Sequence, residues 1–222
     1  MNNIEGFILA GGASRRMGRD KLKLRLQNKT FVELAANALD KITDGKISVV
    51  GNLPFDNLPV NLSADKIYEL PVIADVQVKN SPAALVGLHA ALAQCDETWS
   101  AILACDLPFV TGDLFERLVI FAADNDYDAV VPVQPDGRAQ PLCAVYKCAA
   151  CLQPIGELLS GDNWSLRNFL ARVNTRFVEF EQLSDLQGSE FFFLNINTPE
   201  NYLAAQKIYS DQMTFRRLKT AF

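Results

Sequence analysis

Two hydrophobic rhythms take turns along this chain: short apolar runs of strand length, and longer stretches whose apolar positions recur at helical spacing. Ile4 to Leu9 is the first short run and is expected to be a buried strand. Thr30-Phe-Val-Glu33 predicts a capping box, in which the threonine accepts from the backbone N–H three residues on while the glutamate reaches back. Leu34, Ala35, Ala38, Leu39 and Ile42 then share one face, so residues 31 to 43 are predicted as a helix packed on a sheet. Lys46 to Val50 returns as a strand, broken by Gly51-Asn-Leu-Pro54. Residues 52 to 69 are polar, punctuated by proline and without a clear period, which predicts a loop of weak structure. Leu70 to Ala74 is a brief strand that ends at Asp75. Ser81-Pro82 is a helix start, serine as N-cap and proline at the first helical position, and the alanines and leucines from Ala83 to Ala93 supply a closely packing face.

In the second half, Trp99 to Ala104 is apolar enough to be a central strand and delivers Cys105-Asp106-Leu107-Pro108 to its carboxyl end. A helix from about Asp113 to Ala123 has Thr111 as its better-placed cap. Asp128 to Val133 and Ala139 to Tyr146 flank the turn signal Gln134-Pro-Asp-Gly137 and read as a hairpin, with Gln140-Pro141 on its returning arm. Leu152 to Leu159 and Leu166 to Val173 are predicted helices split by Gly161-Asp-Asn163. Arg176 to Phe180 alternates as an amphipathic strand, and Phe191 to Leu194 reads as a short aromatic one. Asn195-Ile-Asn197 follows, pointing both asparagines the same way if the strand runs on, before Thr198-Pro199 opens a last helix. Alternating strands and helices predict the α/β class: a doubly wound, mostly parallel, Rossmann-like sheet in three layers, with its site at the carboxyl edge. With 222 residues, a single domain spanning 1–222 is expected, since two would be cramped.

Composition narrows the class further. Hydrophobic residues make up 49% and charged residues 21%, the balance of an ordinary globular protein, which excludes disordered and collagen-like chains. The formal net charge of −5 argues against broad nucleic-acid binding. The apolar run Phe7 to Ala10, preceded by Glu5, is no secretory leader, and no stretch has the length of a membrane span, so the expected location is the cytoplasm. Five cysteines, an odd set without scaffold spacing, are expected to be reduced and mostly buried. Cys148-Ala-Ala-Cys151 has C-x-x-C spacing, but zinc would want two further ligands and His89, the one histidine, has no partner nearby in sequence. The pair is read as two thiols on a helix face, and His89 is given no role.

Against that acidic background, Leu9-Ala-Gly-Gly-Ala-Ser-Arg-Arg-Met-Gly-Arg-Asp-Lys21 stands out. Six cations lie between Arg15 and Arg25 with Asp20 as the one acid. Gly11 and Gly12 permit a tight turn and a close approach of backbone to ligand, so the stretch reads as a phosphate-binding loop. Gly18 is followed by Arg19, which excludes a Walker A loop, and no G-x-G-x-x-G spacing is present. The plainer alternative is a strand-to-helix turn followed by a solvated charge run. Asp106, leaving a central strand on the same rim, is suited to hold Mg²⁺, which takes one or two carboxylates and completes its shell with phosphate oxygens. Asp75 also lies at a strand's carboxyl end, although its spacing alone favours a water-exposed loop acid.

The run Leu9-Ala-Gly-Gly-x-Ser-x-Arg-Met-Gly-x-Asp-Lys21 resembles the signature of the molybdenum cofactor guanylyltransferases, the MobA family within the nucleotidyltransferase superfamily. The resemblance covers roughly residues 4 to 203 and implies the nucleotide-diphospho-sugar transferase type of fold. It implies transfer of GMP from GTP to molybdopterin or molybdenum-bound molybdopterin, with release of pyrophosphate. Leu9, Ala10, Gly11, Gly12, Lys21, Asp75 and Asp106 would bind the nucleotide, and Lys21, Arg16 and Asp106 would be catalytic, Asp106 through Mg²⁺. Asn195 and Asn197 would border the acceptor pocket. Cytidylyl relatives tend to carry Leu-Ala-Ala-Gly, so Gly11 points to guanine. Partners would be carriers of the molybdenum cofactor or enzymes that accept it, with neither nucleic acid nor membrane involved. Two departures stand out: Asn163 and Trp164 replace paired arginines of some members, leaving Arg167 to serve, and Asn52 is shifted by one position from a nucleotide-contacting asparagine. The competing expectations are a nucleotidyltransferase using CTP or another phosphate-monoester acceptor, a nucleotide-binding regulator without catalysis, and a purely structural protein.

Overall fold

A computed structural model describes residues 3–10, 24–63, 66–75, 83–124, 126–161 and 164–219. Residues 11–23, which include Gly11, Gly12, Arg16 and Lys21, lie outside the described residues, as do Ser81, Pro82 and Asn163. β1 (Ile4–Leu9) forms as expected. After the stretch 11–23 come a small antiparallel hairpin, β2 (Arg25–Leu26) and β3 (Lys29–Thr30), and α1 (Phe31–Thr43). The capping box is present in full: the Thr30 hydroxyl accepts from the Glu33 N–H at 3.1 Å, and Glu33 accepts from the Thr30 N–H at 2.6 Å. β4 (Ile47–Val50) follows, one residue shorter than expected.

Residues 52 to 69 are not a weak loop. They contain β5 (Asn57–Ser63) and the start of β6 (Lys66–Ile73), an antiparallel pair with a register shift between Asn61 and Ser63. Pro59 obscured the strand, yet β5 is the outer strand of the sheet, where a missing N–H need cost no ladder bond. α2 (Ala83–Gln94), β7 (Trp99–Ala104) and α3 (Gly112–Ala123) agree with the sequence, but Thr111 caps α3 by position only. Its hydroxyl makes no cap bond and has no partner among the described residues. β8 (Ala129–Pro132) and β9 (Cys143–Lys147) pair antiparallel, β9 starting later than expected. Between them the Gly137 N–H closes the turn on the Gln134 carbonyl at 2.9 Å, with Gly137 at φ +82°. α4 (Cys148–Ser160) begins earlier than Leu152, and α5 (Leu166–Leu170) is only five residues long, capped by Ser165. β10 (Thr175–Val178) is followed by short 3₁₀ turns. The expected strand at Phe191 to Leu194 is instead a turn, the Leu194 N–H bonding the Phe191 carbonyl at 3.0 Å while Phe192 is buried. α6 (Pro199–Lys219) closes the chain.

Among the described residues the main sheet has eight strands in the order β10-β8-β9-β7-β1-β4-β6-β5. β6, β4, β1, β7, β8 and β10 run one way, β5 and β9 the other. One face buries Ile8, Val49 and Leu103 against α1 and α3; the other buries Phe7, Val50 and Ile102 against α2 and α4. This is the expected three-layer, mostly parallel α/β fold. Gly6 on β1 lets α1 lie close, because an added Cβ would come within 3.1 Å of Thr43 Cγ2. A third, smaller cluster of Leu24, Leu26, Phe31, Phe109, Ile196 and Ala205 seats α6 on the hairpin.

Candidate active site

The site lies where the sheet's connectivity reverses. From β1 the chain moves to β4 on one side and later returns as β7 on the other, so a crevice is expected outside the carboxyl ends of β1 and β7. Register carries four strand ends to one rim. Leu9 pairs with both Val50 and Ala104, and Val50 pairs with Ile73. Backbone bonds continue past the strands: Ala10 N–H to the Val50 carbonyl at 2.9 Å, Gly51 N–H to that of Ile73 at 2.9 Å, and Cys105 N–H to that of Leu9 at 3.1 Å. Asp75 and Asp106 each stand two residues beyond these ends. Asp75 and Asp106 thus stand at the same edge of the sheet as Ala10, the last described residue before the glycine loop.

A cavity of about 210 Å³ occupies this crevice, lined by Leu9, Ala10, Val50, Asp75, Ala84, Gly87, Asp106, Gln140, Pro141, Leu142, Leu166 and Asn195 among others. Asp75 is buried, contrary to the water-exposed reading that its spacing favoured. Only 6% of its surface is exposed, and Oδ1 has no hydrogen-bond partner among the described residues. Burial pushes its carboxyl above the usual carboxylate range. A buried acceptor left unpaired costs on the order of 1–3 kcal/mol, which a bound donor would recover.

Asp106 is half-buried on the opposite side of β1. Its backbone carbonyl accepts from the Ile196 N–H at 3.0 Å, which ties the Asn195–Asn197 segment to the end of β7. Asn195 lines the cavity, whereas Asn197 stands behind it and donates to Asn195 Oδ1 at 2.6 Å. The two come together without the continuous strand expected, since residues 194–197 are irregular. Asn52 is exposed and does not line the cavity.

Sequence reasoning assigned no contact to the wall at Gln140–Leu142, although Gln140-Pro141 was noticed. The Gln140 N–H bonds the Pro132 carbonyl at 2.9 Å, and the Leu142 carbonyl accepts from Ala104 at 2.7 Å. Beneath them the fully buried Tyr146 donates its hydroxyl to the Pro141 carbonyl at 2.6 Å, its ring 5.8 Å from that of Phe169. Gly87 and Ala84 form the α2 wall, where the Leu9 side chain fills the space over Gly87. The run of small residues from Ala83 was the available signal. Arg167 does not line this cavity. It borders a separate hollow of about 700 Å³ with Arg138 and Phe177, and Pro141 is common to both.

No group of three or more His, Cys, Asp or Glu among the described residues could hold a metal ion. Asp106, in a cavity open to a ligand's own oxygens, nevertheless matches the sparse protein ligation that Mg²⁺ accepts. No helix among the described residues is long and apolar enough to cross a membrane.

Comparison with known proteins gives a consistent picture. A family model described as the MobA-like NTP transferase domain matches residues 6–176. A probable molybdenum cofactor guanylyltransferase of Bacillus anthracis is 32% identical over 212 residues, 96% of this chain and 100% of the relative. A protein of the same name from Bacillus cereus is 31% identical over the same extent. Among solved structures, molybdopterin-guanine dinucleotide biosynthesis protein A from Archaeoglobus fulgidus superposes with a TM-score of 0.72 at 25% identity, covering 93% of this chain and 99% of that one. A 2-C-methyl-D-erythritol 4-phosphate cytidylyltransferase from Thermus thermophilus shares the fold at a TM-score of 0.60 and 15% identity, covering 95% and 100%.

Proposed function

Because the chain belongs to the MobA-like NTP transferase family, we propose that it transfers GMP from GTP to molybdenum-bound molybdopterin, forming the guanine dinucleotide cofactor and releasing pyrophosphate. The observation that carries the reading is the pairing, in one cavity at the switch point of the sheet, of a buried carboxylate oxygen without a donor and a second carboxylate beside the end of β1. Asp75 accepts a hydrogen bond from the bound nucleoside, and the Gln140–Leu142 wall and Gly87 enclose it. Asp106 would hold Mg²⁺, which would supply charge neutralisation at the reacting phosphates. Lys21 and Arg16 offset charge on the departing phosphates, lysine as a compact charge and arginine through paired contacts. Asn195, held by Asn197, faces the acceptor. Arg167, on the hollow that shares Pro141, stands on the side from which an anionic acceptor approaches. Transfer of this kind needs positioning and charge neutralisation more than a protein nucleophile, which suits a chain with a single histidine. The protein acts in the cytoplasm, consistent with five cysteines none of which is joined in a disulfide.

The fold shared with a cytidylyltransferase favours one second reading, CTP as the donor. Pyrophosphate release measured with each of the four nucleoside triphosphates, molybdopterin and Mg²⁺ separates the two. GTP is expected to give the fastest turnover, and a clear preference for CTP would overturn the assignment.

A further inference from the structure

The C-x-x-C spacing sets Cys148 and Cys151 on one helix, but the fold gives Cys148 a nearer neighbour in Cys95. Its sulfur lies 2.7 Å from that of Cys95, 53 residues earlier in the chain. Cys95 stands just beyond the last residue of α2, and Cys148 is the first residue of α4. Their approach is fixed by the sheet: Trp99 pairs with Lys147 across β7 and β9, and the Cys148 N–H bonds the Thr98 carbonyl at 3.0 Å. Cys95 Sγ is also 3.4 Å from the Glu97 carbonyl. Cys105, Cys143, Cys148 and Cys151 are buried, whereas Cys95 is half-buried and opens the pair to small solutes.

The chemistry of the two sulfurs is asymmetric. The hydrogen bond between them lowers the Cys148 thiol below its ordinary value and raises that of Cys95, so Cys148 is the more readily ionised of the two. Its place in the first turn of a thirteen-residue helix acts the same way, while the nearby Glu5 carboxylate opposes it. Burial pushes Cys151 up to about 12 and Cys143 higher still, leaving both inert as nucleophiles.

We propose that Cys95 and Cys148 are an oxidisable dithiol that closes to a disulfide on exposure to a peroxide, fastening α2 to α4 at the amino end of the central strands. The Cys148 thiolate attacks one peroxide oxygen, the O–O bond breaks, and the hydroxide released takes up the proton Cys148 had lost. The Cys95 sulfur then attacks the resulting sulfenic acid, forming the S–S bond and expelling a second water that carries its proton. In sum, two thiols and one peroxide give one disulfide and two waters. The link lies at the opposite end of β7 from the cavity at Ala104–Asp106, so it acts on stability and leaves the site in place.

Reduced protein treated with hydrogen peroxide, alkylated at its remaining thiols and mapped by mass spectrometry without reduction tests this. A single cross-linked peptide joining Cys95 to Cys148, two hydrogens lighter, is expected, with Cys105, Cys143 and Cys151 alkylated. The melting temperature should rise by about 4 °C or more and fall back with dithiothreitol, because the bridge restrains a long loop in the unfolded chain. Nucleotidyl transfer should change by less than about two-fold, as no residue of the site moves. Cys95→Ser and Cys148→Ser should each abolish the peptide and the shift. A Cys148–Cys151 link, oxidation of Cys95 to an acid while Cys148 remains alkylatable, or no link at all would overturn the proposal, and the mapping of the unmutated protein decides it even if a variant folds poorly.

Discussion

Asp75 is a residue that the fold keeps at a cost. Its folded pKa lies above the unfolded value, so the folded chain binds the proton more tightly, and stability falls as pH rises between the two. The penalty is present once pH exceeds the folded value and vanishes once acid has protonated the carboxyl in both states. Asp75→Asn should therefore melt higher than the parent at pH 7, by a gain of about 1 kcal/mol, with the difference disappearing below roughly pH 4, while GTP affinity drops at least about ten-fold. Thermal melts across pH, set beside calorimetric titration with GTP, check both halves. A variant that is no more stable, or binds as well, would remove Asp75 from the nucleotide site. Asp106→Ala should lose turnover by about a thousand-fold while its melting temperature stays within a few degrees, as the proposed metal role requires. That Asp106 ends a central strand could be read from the apolar run before it. That Asp75 is buried could not, because its surroundings include Val50 of β4 and Ala84 and Gly87 of α2, which line the same cavity, and nothing local in Val72-Ile-Ala-Asp75 records them.

At the scale of elements, α1 shows why some stretches are legible. Thr30 and Glu33 satisfy each other within one turn, so four residues suffice to announce the helix, and the helix found begins and ends where the apolar face said it would. The same glutamate has a second job that the sequence conceals. Its Oε1 accepts from both the backbone N–H and the side-chain amide of Asn61 on β5, each at 3.1 Å, and so docks the outer hairpin on the helix. β5 reads as a loop because Pro59 and the prolines and polar residues around it mask the short alternation of Leu58, Val60 and Leu62, and pairing with β6 is what makes a strand of them. Burial alone would raise the Glu33 carboxyl, but hydrogen bonds from Thr30 and Asn61 outweigh it and hold it below the ordinary range. A depressed acid contributes stability above its unfolded pKa and loses it as pH falls through the folded one. Glu33→Ala should thus cost about 2–3 kcal/mol at pH 7 in denaturant unfolding, with a smaller gap to the parent near pH 3. A loss independent of pH would mean that packing, not the carboxylate, joins α1 to β5.

In the whole molecule, the last helix closes over the first hairpin. Leu24, Leu26 and Phe31 come from the stretch that follows the cationic loop, Phe109 from the segment after Asp106, Ile196 from the asparagine segment and Ala205 from α6, and they form one cluster. The Tyr202 hydroxyl donates to the Arg25 carbonyl at 2.7 Å across 177 residues, and its ring lies 6.3 Å from Phe31. No motif spans such a distance, so the sequence offered α6 only as a capped helix. Yet this closure ties α6 and the hairpin that follows residues 11–23 to the two segments that border the cavity. If the hairpin is loosened, ordering it must be met from the binding energy of the nucleotide. Tyr202→Phe keeps the ring and removes only the hydroxyl, and should cost about 1 kcal/mol, or roughly 2–4 °C in melting temperature. Its KM for GTP should rise about three- to five-fold with kcat little changed, because the chemistry at the α-phosphate is untouched. Leu203→Ala, one residue on and 65% exposed, is the matched control and should leave both parameters alone. Should Tyr202→Phe lose stability without moving KM, α6 would be a clasp for the fold and no part of nucleotide binding.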